Sequence, residues 1–120
     1  YTKLEMPLES ESEMVATVFK AAGVIIAAPT YEYKLFPPVA AALNELGRKR
    51  ITGKAAFRFG SYGWSGGAEK ELKEIMERNS MKWDFVESVE FAGAPKEEDL
   101  SRVEAGVMEL LNKMKEKIVE

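Results

Sequence analysis

The stretch Phe57-Arg58-Phe59-Gly60-Ser61-Tyr62-Gly63-Trp64-Ser65-Gly66-Gly67 follows an apolar run of strand length, Ala55 to Phe59. After it, apolar residues recur at the spacing of a helix: Ala68, Leu72, Ile75 and Met76. This order predicts a strand, a glycine-rich loop and a helix in direct succession. Glycines let main-chain N–H groups come close to a ligand, and a helix N-terminus favours negative charge. Tyr62 and Trp64 add flat faces on which a planar ligand can stack.

Three other interpretations apply to the same stretch. Gly63-Trp64-Ser65-Gly66-Gly67 fits the G-x-S-x-G pattern of a serine-hydrolase nucleophile elbow. That mechanism needs a general base, almost always histidine, and the sequence contains no histidine. A phosphate-binding P-loop would require Gly-Lys-Ser/Thr after the glycines, and this is missing. The stretch also fits a glycine-rich turn that only connects strand to helix, since glycines are common in loops.

The composition argues against several classes of function. A net charge of −3 is unusual for a nucleic-acid-binding protein, which normally carries a basic surface. No apolar run approaches the roughly 20 residues of a membrane span. Without cysteine there are no disulfides, thiolate zinc sites or cysteine-ligated iron–sulfur clusters. Redox or group-transfer chemistry would therefore come from a bound organic cofactor, and we expect a cytoplasmic location.

Strand and helix patterns alternate along the rest of the chain. Ser10 and Glu13 form a capping box for a helix whose apolar face includes Phe19 and which ends at Gly23. The apolar run Val24–Ala28 predicts a parallel strand covered on both faces. The predicted strands are residues 1–6, 24–28, 55–59 and 83–91, and the predicted helices are residues 10–22, 38–47, 68–79 and 96–118. This alternation predicts one α/β domain over residues 1–120, with a parallel sheet and right-handed crossovers.

Both unusual loops, residues 29–36 and 60–67, follow strands at the carboxyl edge of this sheet. Ligands bind at that edge in parallel α/β folds, so we expect the two loops to lie side by side and to form a site. Arg58 lies inside an apolar strand, and a buried charge needs a partner. We therefore expect it to pair with an acid of the neighbouring strand, Glu87 or Glu90, rather than with a ligand.

Two motifs resemble the flavodoxin-like domain of A-type flavoproteins, the flavodiiron proteins. They are Ala28-Pro29-Thr30-Tyr31 and, further along, Phe59-Gly60-Ser61-Tyr62-Gly63-Trp64-Ser65-Gly66-Gly67-Ala68. The resemblance implies a flavodoxin-like three-layer sandwich, whose parallel sheet has four strands in this chain, and FMN as the cofactor. It also implies the residues that contact the flavin. These are Pro29, Thr30, Tyr31, Glu32 and Tyr33 on one side of the isoalloxazine ring, and Ser61, Tyr62, Gly63, Trp64, Ser65 and Gly66 on the other.

The same resemblance implies a redox role. Such a domain relays electrons from a donor, rubredoxin or a flavin reductase, to a diiron centre in a separate β-lactamase-like domain that reduces oxygen or nitric oxide. That centre is built from histidines and carboxylates, so this histidine-free chain is expected to deliver electrons only. No catalytic or metal-ligating residue is predicted. The alternative is a cofactor-free flavodoxin-like fragment or a protein-interaction module, and a receiver-type signalling domain fits less well because no strand ends in an acidic cluster.

The family's first strand and its Ser/Thr-rich phosphate loop have no counterpart in the sequence. In the family that strand lies between the strands at residues 1–6 and 24–28, and backbone groups left buried without partners would cost roughly 1–3 kcal/mol each. We therefore expect the C-terminal part of a longer flavoprotein. Either residues 1–6 close up against residues 24–28, or a strand from another copy or from the missing segment fills the gap. The closing helix should then leave an apolar patch exposed, which predicts a homo-oligomer.

Overall fold

The computed structural model describes residues 3–6, 10–31, 34–62 and 67–119. Within these ranges, helices and short strands alternate along the chain. The helices are α1 (Glu11–Lys20), α2 (Pro37–Arg48), α3 (Ala68–Arg78) and α4 (Glu97–Val119). The strands are β1 (Gly23–Ala27), β2 (Thr30–Tyr31), β3 (Lys34–Leu35), β4 (Ala55–Tyr62), β5 (Asp84–Phe85) and β6 (Val89–Ala92). None of the helices in the described part of the chain is both long and apolar enough to cross a membrane.

Strand β4 is the centre of the main sheet. β1 pairs with it in parallel, from Gly23 opposite Ala55 to Ala27 opposite Phe59. β5 and β6 both pair in parallel with β4 as well. They meet successive parts of β4, so the predicted strand 83–91 is present as two short strands. The buried start of β4, fully enclosed from Ala55 through Phe57, explains why this run is almost entirely apolar.

The flavodoxin-like α/β fold with a parallel sheet of four strands is confirmed, but one predicted strand is wrong. Residues 3–6, the described part of the predicted strand 1–6, form no strand. No strand pairing between these residues and β1 is present in the described part of the chain, and Leu4 and Met6 pack their side chains against the core. Two alternating apolar side chains can be buried in this way outside a regular strand, which is why the short pattern misled the prediction.

Helices cover both faces of the sheet, which gives the three layers. On one face α1, α2 and α3 enclose the larger core, which includes Ile26 and Ala56 of the sheet. On the other face α4 covers a smaller core around Phe57 and Leu110. The ring of Phe57 lies where a side chain at Gly106 would be, so that glycine lets α4 approach the sheet closely.

Helix α1 begins as predicted but ends early. The Ser10 side chain accepts a hydrogen bond from the N–H of Glu13 at 3.2 Å, as expected for a capping box. The helix ends at Lys20, and Gly23 starts β1 instead of closing the helix. Phe19, predicted on the buried face, is 70% exposed, because successive helical positions point in different directions and its neighbour Val18 is the one that packs in the core.

The two flanks of α4 differ in their surroundings. On one flank Lys113 lies 3.1 Å from the carboxylate of Asp84 in β5. On the other flank Met114 lies against Gly23 of β1. The second flank therefore runs beside β1. On the far side of β1 from β4, no strand pairs with it among the residues that the structure describes.

One residue of β1 and three residues of α4 are large, apolar and exposed. We call Ile25, Leu100, Met108 and Leu111 the apolar flank; their exposed fractions are 47%, 52%, 60% and 42%. Ile25 pairs in register with Phe57, so it points to the face that α4 covers. The prediction that Val24–Ala28 is covered on both faces is therefore wrong at Ile25, because nothing beyond α4 shields the outer edge of β1 in the described residues.

We predict that the apolar flank makes the 120-residue chain self-associate, because contiguous exposed apolar surface favours association. Sedimentation at low micromolar protein should show a species larger than the monomer. The double variant Met108→Lys/Leu111→Lys should sediment as a monomer and still unfold cooperatively.

The matched control is Glu109→Lys, an exposed position on the other flank of α4 that changes the net charge by the same amount. It should leave the association unchanged. A wild-type chain that sediments as a monodisperse monomer would contradict the prediction.

Candidate functional site

The two predicted loops lie next to each other where β1 and β4 end. The N–H of Ala28 donates to the carbonyl of Phe59 at 3.0 Å, which continues the pairing of the two strands by one residue. After Pro29, β2 and β3 form a small antiparallel hairpin in which Thr30 is opposite Leu35, and β2 contacts β4. The expected adjacency of the loops is thus observed for their described parts, although the hairpin was not predicted.

Several residues that the resemblance assigns to the flavin lie in these loops. Pro29 is exposed and Thr30 half-buried at the start of the first loop, and Tyr31 belongs to β2. Ser61 and Tyr62 are half-buried at the end of β4. The others, Glu32, Tyr33, Gly63, Trp64, Ser65 and Gly66, lie outside the described residues.

A buried arginine links the elements that carry the two loops. Arg58 of β4 is 0% exposed. Its Nη1 donates to Oε1 of Glu90 in β6 at 2.8 Å, and its Nη2 donates to the Ala28 carbonyl at 2.9 Å. Glu69 of α3 adds a second carboxylate, with Oε2 at 3.6 Å from Nη1. The predicted pairing with a neighbouring-strand acid is confirmed, and the partner is Glu90 rather than Glu87.

Gly60 makes room for this arrangement. A Cβ at position 60 would collide with the carbonyl oxygen of Ala28 and would lie 3.1 Å from Nη2 of Arg58. The Ala28 carbonyl is backbone and cannot swing away as a flexible side chain could. The glycine is thus required by space rather than by turn geometry.

The first turn of α3 also holds the hairpin. Oε1 of Glu71 accepts the N–H of Leu35 at 3.0 Å, and Leu35 is buried. Acidic side chains in the first turn are favoured by the helix dipole. Through Glu69 and Glu71, the turn that follows the glycine-rich loop therefore contacts both β4 and the hairpin of the other loop.

Some buried polar atoms around the loops have no hydrogen-bond partner among the described residues: Thr30 Oγ1, Arg58 Nε and Glu69 Oε2. Buried polar groups in folded proteins are hydrogen-bonded as a rule. Partners for these atoms have to come from a ligand, from water or from residues outside the described ranges. They are the donor and acceptors available at the base of the two loops, and they fit a polar ligand better than an apolar one.

An open groove of about 490 Å³ lies elsewhere, between α1 and α2, with Val15, Phe19, Glu45 and Lys49 among its lining residues. Its walls are the sides of two helices, and they carry none of the unpartnered buried polar atoms. Binding sites of this fold class lie at the carboxyl ends of the strands. We therefore place the candidate site at the two loops and not in this groove.

Glu69 and Glu71 were not predicted as part of the site. Two acids in the first turn of a helix are already accounted for by the helix dipole, so nothing in their positions distinguishes them. Arg58 was the one residue in the sequence that pointed to acidic partners near the end of the strand. A guanidinium carries five N–H donors and a buried one needs several acceptors, which directs attention to every acid near the strand end.

Relatives in sequence come from one group of proteins. The chain is 37% identical over 60 residues to the anaerobic nitric oxide reductase flavorubredoxin of Vibrio vulnificus. That match covers 50% of this chain and 12% of the relative. No protein-family model matches the chain.

Solved structures agree with these relatives. The flavodiiron protein from Giardia intestinalis superimposes with a TM-score of 0.82 and 29% identity, over 92% of this chain and 28% of that one. Rubredoxin oxygen:oxidoreductase from Desulfovibrio gigas gives a TM-score of 0.75 and 27% identity, over 83% of this chain and 25% of that one. The resemblance to the flavodoxin-like domain of flavodiiron proteins is therefore confirmed, and the chain matches less than a third of the length of each of these proteins.

We predict that Glu71 holds the hairpin closed. Replacing it in Glu71→Ala removes the acceptor of the Leu35 N–H and leaves a buried donor unpaired. Amide hydrogen exchange at Leu35 should become faster by about tenfold or more, as expected for losing a hydrogen bond to a charged group.

The control is Glu74→Ala, an exposed acid on the same helix, which should leave exchange at Leu35 unchanged. If exchange at Leu35 is the same in Glu71→Ala and in the wild-type protein, the contact does not hold the hairpin.

Proposed function

We propose that this chain is an FMN-binding electron-transfer domain of a flavodiiron-type flavoprotein. One observation carries the proposal: the two motif-bearing loops meet at the carboxyl ends of β1 and β4. This is the edge at which parallel α/β sheets bind ligands. The relatives of the chain, a flavorubredoxin and a flavodiiron protein among them, support the same assignment.

In this proposal the isoalloxazine ring lies between the two loops. Pro29, Thr30, Tyr31, Glu32 and Tyr33 line one side, and Ser61, Tyr62, Gly63, Trp64, Ser65 and Gly66 line the other. Bound FMN would supply one- and two-electron chemistry. The chain would bind and orient the ring and exclude water from it. Aromatic side chains and the acid Glu32 would disfavour an anionic reduced flavin, whereas backbone N–H groups of the glycine-rich loop would favour it.

The partners in this proposal follow from the relatives. One of these relatives is an anaerobic nitric oxide reductase flavorubredoxin, and another is a rubredoxin oxygen:oxidoreductase. We propose that electrons come from a rubredoxin-like donor or a flavin reductase and pass to a diiron centre in a β-lactamase-like domain. The absence of histidine from this sequence assigns the reduction of oxygen or nitric oxide to that other domain. A cytoplasmic location is part of the same proposal.

The outer edge of β1 is an observation in favour of a domain that is larger than this chain. Its backbone has no strand partner on that side within the described residues, and the apolar flank is exposed beside it. An added strand and helix would pair with the edge and cover the flank. We propose that another part of a longer flavoprotein supplies them, together with the loop that binds the FMN phosphate.

The same open edge favours the alternative, a cofactor-free interaction module. Exposed sheet edges accept strands from other chains, and no flavin is needed for that. The two proposals differ in one simple property. A flavoprotein purified with its cofactor is yellow and absorbs as flavin does, whereas an interaction module is colourless and does not respond to added FMN.

We predict that Trp64 stacks on the flavin ring. The chain has two tryptophans, and titration with FMN should quench their emission. In Trp64→Phe most of the quenching should be lost, and the affinity should fall by up to about tenfold, the upper range of an aromatic stacking contribution.

The control is Trp83→Phe. Trp83 is buried and its Nε1 donates to the Ile51 carbonyl, at the other end of the sheet from the loops. FMN should still quench the emission of this variant. If Trp64→Phe changes neither quenching nor affinity, Trp64 is not at the ring; if FMN binds neither to this chain nor to a longer chain that includes the phosphate loop, the proposed function is wrong.

A further inference from the structure

We propose that Arg58 is a positioning residue of the flavin site, and that it sets the distance between the two loops through its contact with Glu69. This inference rests on the proposed function. Arg58 and Glu69 are not among the loop residues that are proposed to contact the flavin.

The first step is the set of elements that one side chain reaches. The guanidinium of Arg58 contacts the end of β1 at the Ala28 carbonyl, β6 at Glu90, and α3 at Glu69. Ala28 directly precedes the first loop, and Glu69 lies in the first turn after the second loop. Because the guanidinium is planar and rigid, these contacts fix one end of each loop relative to the other.

The second step is the charge balance. A buried cation needs a neutralising partner, and Glu90 alone provides it with a hydrogen bond of 2.8 Å. Glu69 is a second carboxylate at 3.6 Å, beyond ordinary hydrogen-bond length, and its Oε2 is buried without a hydrogen-bond partner among the described residues. Neutralising Arg58 does not require this second acid. A buried polar atom without a hydrogen-bond partner calls for an explanation, and a role in a binding site is one such explanation.

The third step is the other end of the first loop. The same turn of α3 carries Glu71, which accepts the N–H of Leu35. The N–H of Phe36 donates to the Pro29 carbonyl at 3.1 Å and closes the loop on itself. The turn at residues 69–71 therefore contacts both ends of the first loop, Leu35 directly and Ala28 through Arg58. A shift of this turn would move the two walls of the site relative to each other.

A purely structural role for Arg58 predicts a different pattern. If the ion pairs only stabilise the fold, loss of the short contact to Glu90 should be more damaging than loss of the longer contact to Glu69. FMN affinity would then follow stability. If Arg58 positions the loops, loss of the Glu69 contact should weaken FMN binding more than loss of the Glu90 contact. The reason is that Glu69 lies on the helix that follows the second loop, whereas Glu90 lies on a strand.

The experiment compares Glu69→Gln with Glu90→Gln. The substitutions are the same in shape and in charge, and each removes one carboxylate from Arg58. For each protein we would measure FMN affinity by quenching of tryptophan emission, stability by urea unfolding without FMN, and amide exchange at Phe36 without FMN. Removing a negative charge near a phosphate-bearing ligand favours binding by electrostatics alone, so weaker binding reports lost positioning.

We expect Glu69→Gln to bind FMN at least about threefold more weakly, with faster exchange at Phe36 and a smaller fall in the urea midpoint than Glu90→Gln. Glu90→Gln should lower the midpoint more and change affinity less. Equal affinities in the three proteins, or losses of affinity that follow the loss of stability, would overturn the inference. If FMN binds neither to the wild-type chain nor to a longer chain that includes the phosphate loop, the proposed function is refuted. Equal exchange at Phe36 in the wild-type protein and both variants refutes the positioning role separately.

Discussion

A cation is enclosed in the middle strand of the sheet, and the arrangement of the neighbouring elements depends on how it is neutralised. Arg58 has no access to bulk solvent, and the acceptors of its two Nη atoms are protein groups. These acceptors come from β1, from β6 and from the first turn of α3. A buried charge tolerates little displacement of its partners, since an unpaired one is expensive. The contacts of Arg58 therefore restrict the positions of the elements at the carboxyl edge of the sheet more than the pairing of the short strands alone would.

This constraint connects the fold to the proposed chemistry. The proposed flavin ring needs walls at a fixed spacing. Gly60 allows the Ala28 carbonyl to approach the guanidinium, and Glu71 ties the hairpin to the same helix. None of these contacts is made by a residue that is proposed to touch the flavin. The site is thus supported by side chains that need not touch the cofactor.

Much of the fold could be predicted from the sequence because its signals are local. The capping box at Ser10, the apolar run before Gly60 and the helical spacing after Gly67 each depend on nearby residues, and Arg58 required an acidic partner wherever it was placed. Two of the failures concern features that depend on distant parts of the chain. Ile25 looks like a core residue, but its cover depends on a neighbour beyond β1. Glu69 looks like an ordinary first-turn acid, and only the three-dimensional contact with Arg58 shows otherwise.

The topology of the sheet has a consequence for how the chain folds. In the described part of the chain, β1, β5 and β6 each pair with β4 and not with one another. None of these strand pairings can form before β4 is in place. Each pairing closes a long loop, which costs conformational entropy. On a ribosome, β1 would leave the exit tunnel well before its partner does. Of the helices that the structure describes, only α1 and α2 are made before β4, so they alone among these helices can shield the apolar residues of β1 at that stage.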